Sequence, residues 1–417
     1  MTPMAVEVKK VYQYIKTAYN GSNKISINNS YFFKNLDNVG LAWELLENGK
    51  VIEKGSISAL NIDPRTEKEI SLPIKTKAKE GAECFLNIYY NLKKEEPFLP
   101  AGYNIATEQF AWNGTALPVK IATASGKLLI EKESGKALVK GKDFSVAFDM
   151  AAGIMSSYSI KGIQMLTEGP IPAFWRAPTD NDIGAGFNSS LRKWRNAYTE
   201  GKLSVADIKQ DGSGDVTATF TKELINGDAT VTQIFTIRAD GGVKVDNKFT
   251  AIKGKYPLMQ RIGNDLQLSK EFSKINFYGR GPGETYWDRK TGSFIGLYSQ
   301  TVDEQYFPYA RPQESGNKTD VRWVNFTDKK GKGLSFGMAD SLLSFSALPY
   351  SLNDLDPEEE KQQYHSGELV KRDKIYMHMD LIQSGVQGID SWGSMPLQEY
   401  RVPFVKHEYS YWIKPIK

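Results

Sequence analysis

Apolar and polar side chains alternate along most of this chain with the two-residue period of a strand that buries one face. Ile25-Ser26-Ile27 opens the pattern. Leu41–Glu47 runs into Asn48-Gly49, a dipeptide suited to a tight hairpin turn, and Val51–Ile57 returns. Ile70–Ile74, Cys84–Tyr90 and Ile105–Trp112 follow. Short strands at this spacing within roughly 110 residues predict an immunoglobulin-like β-sandwich over residues 1–115. Val6–Ile15 fits two descriptions. Val8, Val11, Tyr12 and Ile15 approach helical spacing, whereas Val11, Tyr12, Tyr14 and Ile15 are also residues that favour strands.

Residues 113–125 read as a linker or a connecting strand, and a new rhythm starts at Lys127. Leu128–Lys132, Lys136–Lys140 and Phe144–Asp149 are successive strand candidates with glycines between them. Asp215–Phe220, Ala229–Phe235 and Gly242–Asp246 continue the series, with Asp240-Gly241 supplying a reversal between the last two. Only Ser190–Tyr198, with Leu191, Trp194 and Arg195, reads as a short helix. About 300 residues of strands without a βαβ rhythm predict one large antiparallel sandwich over residues 126–417. The expected fold class is therefore all-β, and no short-period repeat points to a propeller or solenoid.

Composition narrows the function classes. The chain has 417 residues, 40% of them hydrophobic and 12% aromatic, enough to fill globular cores in two or three domains. The net charge of +4 is spread among interspersed acids, with no basic stripe for nucleic acid. The single cysteine, Cys84, excludes an intrachain disulfide and sits in an alternating segment as a core residue. His365, His378 and His407 are the only histidines, and none stands in a metal-ligand spacing, which argues against a zinc site and a Ser-His-Asp triad. No run of about 18 apolar residues predicts a membrane span. The first residues lack the apolar stretch of a signal peptide, and cytoplasm and periplasm both stay open.

Four stretches concentrate candidate chemistry. Phe174–Gly184 contains Asp180 and Asp182, which suit either a carboxylate pair or an Asx-rich turn that caps its own backbone. Tyr278–Arg289 carries three glycines in a spacing that fits neither a P-loop nor a dinucleotide fingerprint, and reads as a tight strand-to-loop turn. In Tyr309–Trp323, Arg311, Gln313, Glu314 and Asn317 are polar groups on a constrained loop. They suit sugar hydroxyls and the loop's own backbone equally well. Gly388–Gly393 places Trp392 between Ser391 and Gly393, beside Asp390. An indole on a loop matches the apolar face of a sugar ring, with Asp390 accepting hydroxyl hydrogen bonds, or it plugs a domain interface.

Taken together and in this order, FWRAPTDNDIG, YGRGPGETYWDR, YARPQESGN…VRW and GIDSWG resemble the C-terminal part of the family 2 glycoside hydrolases, the large bacterial β-galactosidases. Residues up to about Trp112 resemble the immunoglobulin-like domain that follows the family's catalytic barrel, and the remainder resembles its final domain, a supersandwich of the galactose mutarotase-like type. The resemblance implies an accessory part of a retaining β-galactosidase acting on terminal β-D-galactosides. The two catalytic glutamates lie in a TIM barrel that the 417 residues leave no room for, since a barrel takes about 250. No catalytic residue is therefore expected in this chain. By the same resemblance, Trp392 approaches the aglycone site, and Asp390, Arg311, Glu314 and Asn317 are the other expected substrate-binding residues. No cofactor is expected here, and Mg or Na belongs to the barrel. The expected partners are the galactoside, the TIM-barrel domain and other copies in a homo-oligomer, with no nucleic acid or membrane. A stand-alone carbohydrate-binding module and a mutarotase-like aldose epimerase are the rival readings.

Overall fold

The computed structural model describes residues 2–114, 126–356, 364–390 and 393–416. The chain divides into two compact units, one of Met1–Leu117 with Thr291–Leu297, the other of Pro118–Lys290 with Tyr298–Lys417. The predicted linker at residues 113–125 falls almost entirely outside the described residues.

The first unit is an antiparallel sandwich of a three-stranded and a four-stranded sheet. In the larger sheet, Val39–Glu47 and Lys50–Ile57 form the hairpin predicted at Asn48-Gly49, and both turn residues take positive φ. Trp43 lies opposite Gly55 in that hairpin, where a Cβ would come within 2.6 Å of the indole. The glycine thus makes room for a ring buried in the core with Ile27, Leu45 and Tyr90. Cys84 is buried as expected. The strand expected at Ile70–Ile74 instead runs Glu67–Ser71. Pro73 has no N–H to give a neighbour, which fits pairing that stops before it.

The two descriptions of Val6–Ile15 resolve in sequence order. Helix α1 spans Pro3–Val11, capped by the Thr2 hydroxyl, and a strand starts at Ile15. The helix is held to the strand Asn104–Asn113 through its cations, with Lys9 donating to the Asn104 carbonyl at 2.7 Å and Lys10 pairing with Glu108 at 2.6 Å. Met4, Val8, Val11 and Tyr12 are consequently left exposed.

The second unit contains two nine-stranded antiparallel sheets. One is ordered Lys318–Val321, Leu343–Leu348, Lys374–Gln383, Arg261–Ser269, Ile163–Ala173, Ile154–Ile160, Phe144–Asp149, Lys136–Lys140, Leu129–Glu133. The other runs Lys202–Gln210, Val216–Leu224, Ala229–Ile237, Val243–Ala251, His407–Ile416, Gly333–Met338, Trp323–Thr327, Lys274–Gly281, Phe294–Thr301, the last counted in this unit from Tyr298 on. Alternation gives strands such as Ala229–Ile237 one buried face, whereas Leu343–Leu348 is buried throughout. Phe148 of the first sheet meets Phe235 and Phe220 of the second, with ring centroids 5.4 and 6.0 Å away. A polar seam crosses the same interior, where Asn264 donates to Asn247 at 3.1 Å and accepts from the Tyr411 hydroxyl at 2.8 Å.

The helix expected over Ser190–Tyr198 is two shorter pieces, Phe187–Ser190 and a 3-10 turn at Arg192–Trp194. Trp194 packs edge-on against Phe174 and Tyr256, so tertiary contacts rather than helix length bury this segment. No helix among the described residues is long and apolar enough to cross a membrane.

Candidate functional site

Side chains from three of the four sequence stretches, and the backbone on either side of the fourth, meet at one junction in the second unit. Thr179 caps a short helix, α2 (Asp180–Gly184), in a reciprocal box: its hydroxyl accepts from the Asp182 N–H, and the Asp182 carboxylate accepts from the Thr179 N–H at 3.0 Å. Both Asp182 oxygens also accept from Arg176, at 3.0 and 2.9 Å. Arg176 is 1% exposed. Burial opposes its charge, but the facing Asp182 prevails and holds the guanidinium above its ordinary pKa. Two further N–H groups donate to the carbonyls of Ser384 and Gly385.

Those two carbonyls begin the loop that carries Gly388–Gly393. Asn181 donates to the carbonyl that follows them, Val386, at 2.9 Å. Asp288 accepts from the backbone N–H groups of Val386 and Gln387, at 3.1 and 2.7 Å. Gly385 has no room for a Cβ, which would sit 2.5 Å from Asp288. At the far end, Gly393 lies at φ +95°, and a Cβ there would meet the Gly184 carbonyl at 2.2 Å. The start of the loop is therefore bonded to the Phe174–Gly184 and Tyr278–Arg289 stretches, and its far end packs closely on the Gly184 backbone.

Glu284 organises the other half of the junction. One of its oxygens accepts from Arg289 and the Tyr309 hydroxyl. The other accepts from the Gly316 N–H at 2.8 Å and from the Ser315 hydroxyl at 3.3 Å. Lys318, buried nearby, donates to the Gln305 side chain and the Gly316 carbonyl. Burial drives its ammonium down to about 8, against the pull of Glu284.

The expected binding residues divide by exposure. Asp390 is exposed and accepts from the Ser394 hydroxyl at 2.6 Å. Trp392 lies outside the described residues. Arg311 is mostly buried and donates to Asp180 and to the Pro178 carbonyl, at 3.2 and 2.9 Å. Glu314 is 3% exposed and accepts from the Tyr286 hydroxyl at 3.2 Å. Asn317 is 1% exposed, donates to the Thr285 carbonyl at 2.8 Å and accepts from Gln383. Of the two aspartates, Asp182 is the buried partner of Arg176, whereas the Asp180 side chain is 55% exposed and accepts from Gln313 at 2.9 Å.

Chemically, the junction is a clamp. Two buried ion pairs, Arg176 with Asp182 and Arg289 with Glu284, also bond backbone groups and hydroxyls, which fixes loop geometry. The sequence reading missed Glu284 and Asp288 as organisers; the long-range partners of Asp288, Val386 and Gln387, have no local signature.

Comparison with known proteins adds to this geometry. Residues 140–414 match the family described as beta galactosidase small chain, and residues 25–113 match beta-galactosidase domain 4. Over 395 residues the chain is 33% identical to a beta-galactosidase of Priestia megaterium, covering 94% of this chain and 37% of that protein. It is 30% identical over 402 residues to one from Lactobacillus delbrueckii subsp. bulgaricus, with 96% and 38% covered. The chain thus spans under two fifths of these curated relatives. Among solved structures, a galactose 1-epimerase from Lactobacillus acidophilus aligns over 70% of this chain and 99% of that one, at 8% identity and a TM-score of 0.38, a likeness that bears no further argument.

Proposed function

The chain belongs to the beta-galactosidase small-chain family, and from that premise we propose that it works as the accessory C-terminal part of a retaining β-galactosidase. In this reading a barrel domain supplies the acid/base and nucleophile carboxylates, about 5–5.5 Å apart. This chain supplies the Gly388–Gly393 loop, with Trp392 against the sugar or aglycone and Asp390 accepting from a hydroxyl. Arg311, Glu314 and Asn317 act behind that surface, holding the loops that present it. The observation that carries the reading is the double anchoring of the loop, by Arg176, Asn181 and Asp288 at its start and by Gly393 against Gly184 at its end. A clamp of this kind suits a loop whose tip must reach a fixed point on a ligand. The outward apolar side chains of α1 support the same reading, because Met4, Val8, Val11 and Tyr12 suit burial against further protein.

Two measurements test it. The chain alone should leave nitrophenyl β-galactoside uncleaved above the buffer rate; robust turnover would sink the proposal. In an enzyme that joins this chain to a barrel, Trp392→Ala should raise KM several-fold with kcat nearly kept, the signature of lost ground-state binding. An unchanged KM would remove the loop from the substrate site.

A further inference from the structure

On the sheet face formed by Ile163–Ala173, Arg261–Ser269 and Lys374–Gln383, we propose a second site, separate from the Gly388–Gly393 loop, that binds a neutral pyranose. An open cleft of about 530 Å³ lies over these strands. That volume admits a hexose and falls within the range of small-molecule sites.

Register assembles its floor. Asp265 pairs with His378, Gln267 with Tyr376, and Glu168 with Gln267, so their side chains project from one face of three adjacent strands. Asp265 accepts from the His378 Nδ1–H at 2.7 Å and from Arg261 through the same oxygen. Glu168 accepts from Gln267 through one oxygen only. Among the described residues, Asp265 Oδ2, Glu168 Oε1, His378 Nε2 and the Tyr376 hydroxyl keep no protein partner. Two carboxylate oxygens, an imidazole nitrogen and a donor-acceptor hydroxyl thus face one space, a pattern that matches sugar hydroxyls, which donate and accept in turn.

Charge decides against a cation. Desolvation alone would raise the Asp265 carboxyl, but Arg261, buried directly behind it, and His378 hold it well below the usual range. Burial raises the Glu168 pKa, and the Lys374 charge opposes the rise. Asp265 is already paired with Arg261, so a bound cation gains little there, while neutral O–H donors meet carboxyl acceptors. The wall arginines are spent as well. Arg195 donates to Asp356 and Asn353, and Arg372 to Asp354, which disfavours an anionic ligand. Ile171, which pairs with Asp265, and the Tyr376 ring supply apolar surface for the C–H face of the ring.

The test uses the full chain labelled with 15N and reads its three imidazoles. D-galactose raised well past the millimolar range should move the His378 ring signals saturably and leave those of His365 and His407 in place. Open-chain galactitol should not saturate. Glu168→Gln combined with Tyr376→Ala should weaken binding about tenfold, on the order of 1.4 kcal/mol, with an unchanged melting temperature. Should that variant misfold, Tyr376→Phe, which removes only the hydroxyl, should still weaken binding measurably. Three results would each overturn the proposal: no His378 response to galactose; a response to calcium chloride or putrescine in its place; or galactose binding that survives Glu168→Gln/Tyr376→Ala but is lost in Trp392→Ala. The last would assign the sugar to the loop and leave the accessory reading standing.

Discussion

Around Arg176 and Glu284, the acids Asp182 and Glu284 are buried and bonded through both oxygens, although Arg289 Nε finds no partner. Over the sheet at Asp265 and Glu168, the same residue types use one oxygen each within the protein and leave the other unpartnered. The junction and the cleft share a chemical vocabulary, and residue identity does not separate them. What separates them is how many polar atoms the fold has already satisfied. A saturated cluster specifies geometry, and removing one member strands its partner. An unsaturated cluster at an opening is free to exchange water for a ligand.

Arg176→Met is the hardest test of that contrast. It strands Asp182 as a buried, unpaired carboxylate and frees the Ser384 and Gly385 carbonyls. The expected cost is about 3–5 kcal/mol, read from urea unfolding of the chain. A loss under about 1 kcal/mol would mean that the junction is not saturated in the way described, and the comparison would collapse.

Asp380 sharpens the contrast, because it is a buried acid that its surroundings do not fully satisfy. It is completely buried, and burial lifts its carboxyl to about 7 even though Arg261 and His378 pull it down. One oxygen accepts from Gln383 at 3.1 Å, and the other lies 3.5 Å from Arg261 without a hydrogen bond. The folded value exceeds the ordinary value of about 3.9, so the folded chain keeps a proton that the unfolded chain has released. Stability tied to this group is full below the unfolded pKa and falls as pH rises toward 7. Asp380→Asn abolishes that slope. Relative to the original chain, the variant should therefore gain in melting temperature between pH 5 and pH 8. A pH-independent difference would show that Asp380 is ionised in both states.

A smaller effect is expected at Gly393. Alanine there meets the Gly184 carbonyl and takes a φ of +95° that L-residues avoid. Global stability should drop by roughly 1–3 kcal/mol, while amide exchange at Val386 and Gln387, the other end of the loop, quickens. Unchanged exchange there would uncouple the two anchors.

The junction and the cleft also differ in how legible they are in the amino-acid sequence. Alternation locates strands such as Ala229–Ile237 and the Asn48-Gly49 hairpin because period and turn chemistry are local. The four motif stretches stand out as unusual text and as a family resemblance. Their convergence does not, since Arg176 reaches Ser384 across 208 residues and nothing near either position encodes the other. Glu314 and Asn317 look like surface ligands because polar residues in a loop usually are; here the loop folds inward and spends them on Tyr286 and Thr285. The cleft is less legible still. Glu168, Asp265 and His378 each occupy an ordinary outward position on a strand, and only sheet register brings them together. Lys222 breaks the alternation outright, a lysine at a core position that donates to the Tyr198 carbonyl at 2.8 Å and lies over the Tyr198 ring.

The mildest prediction concerns the residue that looks most catalytic in the sequence. Asp180 belongs to the junction by position but to the cleft by exposure, with 55% of its side chain open to solvent. Arg311 and Gln313 both donate to it, yet each has a second acceptor, the Pro178 carbonyl at 2.9 Å and the Arg311 carbonyl at 3.2 Å. Asp180→Ala therefore strands no buried charge, and its pairing energy is screened by water. The expected cost is under about 1 kcal/mol, several-fold below Arg176→Met, with the loop's amide protection unchanged. If Asp180→Ala instead matched Arg176→Met, exposure would have failed to separate the saturated region from the open one, and the division between the two would have to be redrawn around the Arg311 loop.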